Sequence, residues 1–312
     1  MSVERHAPIL VTGASGVIGQ ALVERLREVG HENVVALTSA DCDLRDEHAT
    51  VDLFKQYQPV LVFHLAAKVA GIMGNMVNRA GAYLDNIRIN TNVIEASHLS
   101  GAKKIVAMGT TAIYSDIVPL PMREDDIWLG PPHHSEAPYG HAKRAMLAQL
   151  TAYNEQYGLG YAYCISTNLY GAHDKFDENF GHVLPSLISK FSRACREGTS
   201  ISVWGDGSPQ RDFLYARDAA EALRLVAEKG EGAINLATGS PVSIREVVEL
   251  LAEVSGFTGD IIWDATKPNG QMLREYSTDR LFGLGFSPNY SLREGLAETY
   301  AWYRANEQNV RR

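Results

Sequence analysis

The 312-residue sequence is short of several features that would each place it in a particular class of protein. Its three cysteines, Cys42, Cys164 and Cys195, are odd in number, widely spaced and in no metal-ligand pattern, which favours reduced thiols over a disulfide framework. No apolar run is long enough to span a bilayer, and the first six residues lead into a strand without the apolar region of a signal peptide. We therefore expect a cytoplasmic protein without a membrane partner.

Positive charge is also scarce, since 29 Lys and Arg stand against 37 Asp and Glu and the net charge is −8. No general field then favours nucleic acid, and an anionic ligand must be met by a few local Arg and Lys side chains. At 45% hydrophobic and 21% charged residues, the chain can bury a large core in one large domain or two. We find no internal repeat and no low-complexity tract.

The first half of the chain alternates apolar strands with amphipathic helices, which predicts an α/β fold with a doubly wound parallel sheet (Rossmann). The predicted strands span residues 8–11, 34–37, 60–65, 105–108, 161–165 and 233–236. The predicted helices span residues 17–29, 83–99, 218–226 and 292–304, and Asp46 and Ser243 are predicted to cap two more. His64, inside an apolar strand, is expected to be a core histidine without a ligand.

A glycine-rich turn, T-G-A-S-G-V-I-G at residues 12–19, lies between the first strand and the first helix. Glycines let the backbone approach a pyrophosphate, and the helix N-terminus offers it unpaired N–H groups and a positive dipole. This context predicts a dinucleotide site. The predicted contacts in the turn are Gly13, Ser15, Gly16, Val17, Ile18 and Gly19.

The second strand ends at Thr38 and Ser39, where an NAD-specific site usually has a carboxylate for the ribose hydroxyls. Asp41 and Asp43 come after the strand end, so an adenosine 2′-phosphate would meet hydroxyls rather than a repelling carboxylate. No basic residue stands at the strand end. The pattern therefore favours NADP over NAD through the missing repulsion alone.

Tyr139 and Lys143 stand four residues apart on a predicted helix and therefore share one face. A free phenol titrates near about pH 10, and a fixed ammonium beside it favours the phenolate, which would make it a usable acid or base nearer neutrality. Thr110 and Thr111 follow an apolar strand just upstream. Thr110, Tyr139 and Lys143 are thus expected to converge from separate elements.

The chain resembles the GDP-L-fucose synthase family of extended short-chain dehydrogenases/reductases. Beside the residues above, the resemblance lies in residues 66–72 (AAKVAGI), 167–176 (TNLYGAHDKF), 182–185 (HVLP), 203–213 (VWGDGSPQRDF) and 267–271 (KPNGQ). It implies a dinucleotide-binding domain of residues 1–166 plus about 212–238, and a smaller C-terminal substrate-binding lobe of about 167–211 plus 239–312. It also implies a homodimer through the helices near 83–99 and 139–157.

The resemblance implies roles for individual residues. Tyr139 would protonate the sugar oxygen as hydride arrives from NADPH, Lys143 would hold the nicotinamide ribose and lower the tyrosine's pKa, and Thr110 would hydrogen-bond the reacting oxygen. A nucleotide-diphosphate sugar, expected to be GDP-linked, would be bound by Lys190, Trp204, Arg211 and Asn269. The other cofactor contacts would be Thr38, Ser39, Asp43, Leu44, Leu65, Ala66, Ala67, Met108, Gly109, Ser166, Thr167, Asn168, Leu169 and His182.

One departure from the family concerns inversion of the carbons beside the keto group, for which the family uses a cysteine and a histidine. His182 matches the histidine, but Ala112 stands at the cysteine's position and carries no exchangeable proton. Cys164, in a buried-looking strand, is a poor substitute. We therefore expect chiefly a 4-keto reductase, with epimerisation absent, partial or left to another enzyme. A second departure is Asn269, where the family has an aspartate.

Several alternatives stay open at this point. The sugar is either a 4-keto-6-deoxy hexose or a 4-keto heptose of a modified-heptose polysaccharide pathway, reduced at C4 without epimerisation. A 4,6-dehydratase is disfavoured because Thr111 and Ala112 occupy the positions of its Asp-Glu pair. A non-catalytic dinucleotide-binding scaffold or sensor is the alternative of another class. Lys190 as a solvated helix residue and Trp204 as a core aromatic are the plainer interpretations of those two positions.

Overall fold

A computed structural model describes residues 3–69, 77–178, 181–267 and 269–311. The strands in chain order are β1 (Ile9–Thr12), β2 (Val34–Leu37), β3 (Leu61–His64), β4 (Lys104–Thr110), β5 (Gly160–Ser166), β6 (Asn168–Tyr170), β7 (Ile201–Trp204), β8 (Gln210–Arg211), β9 (Phe213–Tyr215), β10 (Gly232–Leu236), β11 (Val242–Ser243) and β12 (Ile261–Asp264). The helices are α1 (Val17–Glu28), α2 (Glu47–Tyr57), α3 (Arg79–Leu99), α4 (Ala137–Tyr157), α5 (Val183–Glu197), α6 (Ala216–Lys229), α7 (Ile244–Ser255), α8 (Asp279–Gly283) and α9 (Leu292–Asn306).

Six strands form a central parallel sheet in the order β2-β1-β3-β4-β5-β10. The chain goes from β1 to β2 on one side and then returns to place β3 on the other side of β1. In open α/β sheets, ligands bind outside the carboxyl ends of the strands at such a switch point. The sheet confirms the predicted doubly wound α/β class and directs attention to the ends of β1 and β3.

The inner strands of the sheet are largely apolar and buried on both faces, as a parallel sheet covered by helices requires, and most of their polar residues lie at or near the strand ends. Side chains alternate between the faces. Ile9 and Val11 pack with α1 and α6 in one apolar cluster, while Leu10 packs with α2, α3 and α4 in another. The helices packed on the two faces therefore hold the ends of the strands in a fixed position.

Local capping explains where several helices begin. The Asp46 side chain accepts a hydrogen bond from the Ala49 amide at the start of α2, and Ser243 and Glu246 form a capping box on α7, so both predicted caps are confirmed. The predicted elements agree with the observed ones to within a few residues at their ends. The largest difference between a predicted and an observed end is at the start of α3, which begins at Arg79 rather than at 83.

A third apolar cluster lies among α5, α7, α9 and the β7/β12 pair and includes Leu184, Val247 and Leu296. This separate core supports the proposed second lobe. Leu281 and Phe286, which the predicted boundaries place in that lobe, pack instead in the sheet cluster with α1 and α6. The division into two lobes therefore remains a proposal, with α8 assigned by packing to the sheet.

Two parts of the motifs read from sequence lie outside the described residues. They are Ala70, Gly71 and Ile72 of the stretch 66–72, and Pro268 of the stretch 267–271. Within the residues that the structure does describe, no helix has both the length and the apolar character needed to cross a bilayer.

Candidate active site

The glycine-rich turn brings the ends of β1 and β3 into direct backbone contact. Gly13 has φ +71°, and a Cβ there would lie 2.8 Å from the backbone nitrogen of Ala66. A Cβ on Gly19 would lie 2.3 Å from the Gly13 carbonyl oxygen, so glycine is required for α1 to pack on the turn. Gly16 precedes α1 without a side-chain cap, and the first turn of α1 has no acidic residue. This cradle fits the pyrophosphate of a dinucleotide.

His64, at the end of β3, connects that strand to the end of β1 through a hydrogen bond with Thr12. Its Nδ1 lies 2.9 Å from the Thr12 hydroxyl, which also accepts a hydrogen bond from the Ala66 amide, and its Nε2 lies 3.1 Å from Asn90 Oδ1. Burial lowers the pKa of His64 to about 3, with the Lys143 ammonium acting in the same direction. His64 is therefore a neutral core histidine, as predicted, but it also supports the cradle.

A carboxylate lies at the end of β2, where the sequence predicted that there would be none. The amide and hydroxyl of Thr38 both donate to the Asp41 carboxylate, at 2.8 and 2.7 Å. A carboxylate thus stands at the strand end, and the Thr38 hydroxyl is engaged with it. Asp43 pairs with Arg45, which lowers the pKa of Asp43 to about 2. The predicted absence of a repelling carboxylate was wrong, because the turn after β2 folds Asp41 back.

The ends of β4 and β5 place Thr110 beside the loop predicted to flank the nicotinamide. Thr110 and Ser166 are register partners, and the Ser166 hydroxyl donates to the Gly109 carbonyl at 3.1 Å. A Cβ on Gly109 would lie 2.5 Å from the ring of Tyr163, whose hydroxyl donates to the Lys143 carbonyl. The lack of a side chain at Gly109 therefore leaves room for the Tyr163 ring, whose hydrogen bond to Lys143 holds α4 against the sheet.

Helix α4 carries Tyr139 and Lys143 on one face, with Lys143 Nζ 5.9 Å from the centroid of the Tyr139 ring. Lys143 donates to the Met108 carbonyl at 2.8 Å, which anchors it to β4. Both side chains are buried, and Tyr139 is only 7% exposed. The structure thus brings Lys143, Met108 and Thr110 to one edge of the sheet.

Burial decides the protonation of the pair. It lowers the pKa of Lys143 to about 7 and raises that of Tyr139, to which the Glu136 carboxylate adds. The expected lowering of the tyrosine pKa by the ammonium is not found, because desolvation penalises both charged forms more strongly. Tyr139 is therefore a phenol at neutral pH, in the form that can donate a proton.

Ala112 is buried next to Tyr139, in an apolar group that these two residues share with Ala82. The Ala112 amide donates to the Thr110 hydroxyl oxygen at 3.2 Å, which orients the Thr110 side chain. Cys164 is fully buried within β5, and burial raises the pKa of its thiol to about 12. Its predicted unsuitability as a replacement acid is consistent with this burial.

His182 lies immediately before α5 and is exposed, with its side chain making no cap hydrogen bond. Burial raises the pKa of the neighbouring Asp174 carboxyl, and the His182 imidazole counteracts that rise. Asp174 Oδ2 is buried and has no hydrogen-bond partner among the described residues. Sequence reasoning missed Asp174, although it lies within the matching stretch 167–176.

Trp204 is 56% exposed, and Lys267 Nζ lies 5.7 Å from the centroid of its ring. The interpretation of Trp204 as a core aromatic is therefore wrong. Lys190 is half-buried, its Nζ lies 3.5 Å from the Ser202 carbonyl, and burial lowers its pKa. Trp204 is the last residue of β7, and the Ser202 carbonyl near Lys190 belongs to the same strand.

Arg211 and Asn269 connect residues 205–211 to residues 269–271 through hydrogen bonds. Arg211 donates to the carbonyls of Gln210 and Gln271, each at 2.7 Å, and Asn269 Oδ1 accepts from the Asp206 amide at 3.0 Å. A Cβ on Gly205 (φ +78°) would lie 2.1 Å from Asn269 Oδ1. The turn predicted to let a ligand approach Arg211 is thus built around that asparagine.

Two residues that sequence reasoning missed, Arg274 and Tyr276, lie near both Arg211 and Thr111. Burial raises the pKa of the Tyr276 phenol. The nearby Arg274 and Arg211 guanidinium groups and the Thr111 hydroxyl act in the opposite direction. No sequence motif marks either residue. Their position just beyond the stretch 267–271 is the available signal.

Comparison with known proteins gives consistent matches over the whole chain. The model of the NAD dependent epimerase/dehydratase family matches residues 9–237. GDP-L-fucose synthase 1 of Arabidopsis thaliana is 37% identical over 309 residues, which are 98% of this chain and 96% of that protein. Among solved structures, a GDP-L-fucose synthetase from Naegleria fowleri bound to NADP has a TM-score of 0.93 at 31% identity, covering 100% of this chain and 98% of that one. MlghC, a GDP-mannoheptose C4 reductase from Campylobacter jejuni with NADP bound, has a TM-score of 0.87 at 28% identity, covering 97% and 100%.

Proposed function

The chain belongs to the GDP-L-fucose synthase branch of the NAD dependent epimerase/dehydratase family, and we propose that it reduces the 4-keto group of a GDP-linked sugar without inverting the neighbouring carbons. The observation that carries this proposal is the buried methyl of Ala112 beside Tyr139. The reducing hydroxyls are present there, and the second acid needed for epimerisation is not.

The protein is an enzyme, and its cofactor is NADP, as in the N. fowleri and C. jejuni structures. The cradle at Gly13, Gly16 and Gly19 and the open N-terminus of α1 fit the pyrophosphate. Lys143, anchored on the Met108 carbonyl, would hold the nicotinamide ribose. Bound NADPH supplies the hydride that adds to the sugar ketone.

The chain itself handles the proton. Hydride addition turns the ketone into an alkoxide, which takes the proton from Tyr139 Oη and leaves a phenolate. The Lys143 ammonium stabilises that phenolate by charge, and the Thr110 hydroxyl donates to the same sugar oxygen. Burial keeps Tyr139 protonated until the alkoxide forms, so the proton is available where the negative charge develops.

Epimerisation needs one group to remove a proton beside the ketone and another to return it on the opposite face. His182, exposed at the start of α5, is suited to the first task. Ala112 has no proton to return, and the Cys164 thiol is fully buried in β5. This asymmetry supports reduction with retained configuration.

The GDP-sugar would lie along the second lobe. Trp204 is exposed for stacking, and the Arg211 guanidinium is suited to a diphosphate. Lys190 and Asn269 would complete the site. The likeness to MlghC favours a GDP-4-keto heptose as the second candidate sugar beside a GDP-4-keto-6-deoxy hexose.

We also propose a homodimer through α3 and α4. These helices pack against each other and leave Tyr83, Leu84, Leu99 and Tyr157 exposed. Sedimentation velocity of the purified protein tests the assembly independently of the reaction.

The test of function is incubation in heavy water with GDP-4-keto-6-deoxy-mannose or its heptose counterpart, with and without NADPH, followed by NMR of the product. We expect NADPH-dependent reduction at C4, retained configuration, and no deuterium at the two carbons beside it. Full deuterium incorporation at both carbons with GDP-L-fucose as main product would contradict the proposal. A Tyr139→Phe control, expected to be inactive, ties any reduction to the proposed site.

A further inference from the structure

The end of β2 is connected to the glycine-rich turn by a backbone hydrogen bond. The Ala14 amide donates to the carbonyl of Leu37, the last residue of β2, at 2.9 Å. Thr38 follows directly, and β1 and β2 are parallel, so Thr38 lies at the same edge of the sheet as the pyrophosphate cradle. In dinucleotide-binding folds of this kind, an acid near the end of the second strand binds the adenosine ribose. A carboxylate held on Thr38 is therefore placed to bind that ribose.

Asp41 supplies such a carboxylate. Its Oδ2 accepts from the Thr38 amide at 2.8 Å and from the Thr38 hydroxyl at 2.7 Å, and the same hydroxyl accepts from the Ala40 amide at 3.2 Å. Both bonds to the carboxylate end on Oδ2, which leaves Oδ1 of this exposed side chain for another donor. Asp41 also follows Gly19 by about 20 residues, the spacing at which dinucleotide folds place the acid that accepts from the ribose 2′-hydroxyl.

An adenosine 2′-phosphate would need positive charge at the same place. Arg45 is engaged by two carboxylates, with Nη2 at 2.7 Å from Asp43 Oδ2 and Nη1 at 3.4 Å from Asp85 Oδ1. The exposed Lys68 is a second cation near Asp43. With Asp41, three carboxylates thus stand against two cations in this group. Their balance disfavours a phosphate and leaves a ribose hydroxyl acceptable.

We propose that Asp41 binds the 2′-hydroxyl of the adenosine ribose, so that the protein takes NADH as a second hydride donor beside NADPH. The ribose hydroxyl donates to Oδ1 while Thr38 holds Oδ2. A 2′-phosphate binds by displacing Asp41 from Thr38, whose amide and hydroxyl then donate to the phosphate oxygens. The inference concerns the adenosine end of the cofactor and does not depend on which sugar is reduced.

Two possible roles of Asp41 predict different effects of its removal. A carboxylate that only repels anions would weaken every ligand with a pyrophosphate, so its loss would strengthen all of them. A carboxylate that accepts from the ribose stabilises the form without a 2′-phosphate, so its loss weakens that form alone. ADP-ribose and 2′-phospho-ADP-ribose separate the two roles, because they lack the nicotinamide and report the adenosine end without turnover.

The experiment is isothermal titration of wild type, Asp41→Ala and Asp52→Ala with these two ligands. In wild type we expect the Kd of ADP-ribose to be no more than about tenfold above that of 2′-phospho-ADP-ribose. In Asp41→Ala the Kd of ADP-ribose should rise by about tenfold, as loss of one hydrogen bond to a charged group implies, and that of the 2′-phosphate form should fall. Asp52→Ala removes a carboxylate from an exposed position on α2 and should match wild type.

The wild-type ratio is independent of how either variant folds. A Kd of ADP-ribose more than about tenfold above that of its 2′-phosphate form would overturn the inference and leave NADPH-dependent reduction intact. Unchanged or tighter binding of ADP-ribose in Asp41→Ala would also overturn it, because Asp41 would then act by charge alone or lie away from the ribose. Failure of wild type to bind either ligand would overturn the dinucleotide site and the proposed function with it. Opposite shifts for the two ligands in Asp41→Ala, with Asp52→Ala unchanged, would support the assignment.

Discussion

Replacement of Lys143 by Met should abolish reduction and at the same time make the folded protein more stable near neutral pH. Lys143 is buried, and its ammonium has one hydrogen bond, to the Met108 carbonyl, among the described residues. Burial lowers its pKa to about 7, whereas a lysine in an unfolded chain titrates near about 10.4. Burying this group therefore lowers the stability of the folded protein at a position where the proposed reaction uses it.

The sign and size of the effect follow from proton linkage. Between the two pKa values the unfolded chain binds one more proton than the folded chain, so the free energy of unfolding rises with pH by up to about 1.4 kcal/mol per pH unit. Wild type thus loses about 3 kcal/mol of stability on going from about pH 9.5 to about pH 7. Below about pH 7 the lysine is protonated in both states, and the loss stops.

The assay is urea unfolding of wild type and Lys143→Met across this pH range. Lys143→Met lacks the titrating group, so its stability relative to wild type should increase by about 3 kcal/mol as the pH falls from about 9.5 to about 7. Lys55→Met, at an exposed position on α2, controls for the general effect of removing a charge. A stability difference that is the same at every pH would refute the reasoning from burial.

Three further predictions concern the chemistry of the site. Tyr139→Phe should lower turnover by at least about a hundredfold and leave the NADPH dissociation constant nearly unchanged, because it removes the proton donor alone; turnover within tenfold of wild type would count against the assignment. Asp41→Asn should strengthen NADPH binding relative to NADH by a few-fold, since it removes the carboxylate held on Thr38; an unchanged ratio in fluorescence titrations would show that Asp41 does not face the adenosine phosphate. Ala112→Cys should raise deuterium exchange beside the ketone at least about tenfold by supplying an acid; no rise in a variant that still reduces the sugar would mean that another group is missing.

Local sequence patterns were sufficient for the sheet and the dinucleotide turn. Apolar runs bounded by turn residues predicted the six strands of the sheet, and the glycine spacing predicted the contact between β1 and α1, because both depend on neighbours in the chain. The caps at Asp46 and Ser243 are local in the same sense. The family resemblance supplied the proposed roles of Tyr139, Lys143 and Thr110, which spacing alone leaves undetermined.

The tertiary structure decided what depends on burial and on partners distant in sequence. The helical spacing of Tyr139 and Lys143 indicated that they share a face, but only packing shows that desolvation outweighs their mutual attraction and keeps the tyrosine protonated. The turn that folds Asp41 onto Thr38, and the chain path that brings Tyr276 beside Thr111, leave no periodic signal in the sequence. Sequence identified the residues proposed to carry the chemistry, and the fold determined their charge states and neighbours, because desolvation and hydrogen-bond satisfaction are set by everything that surrounds a group.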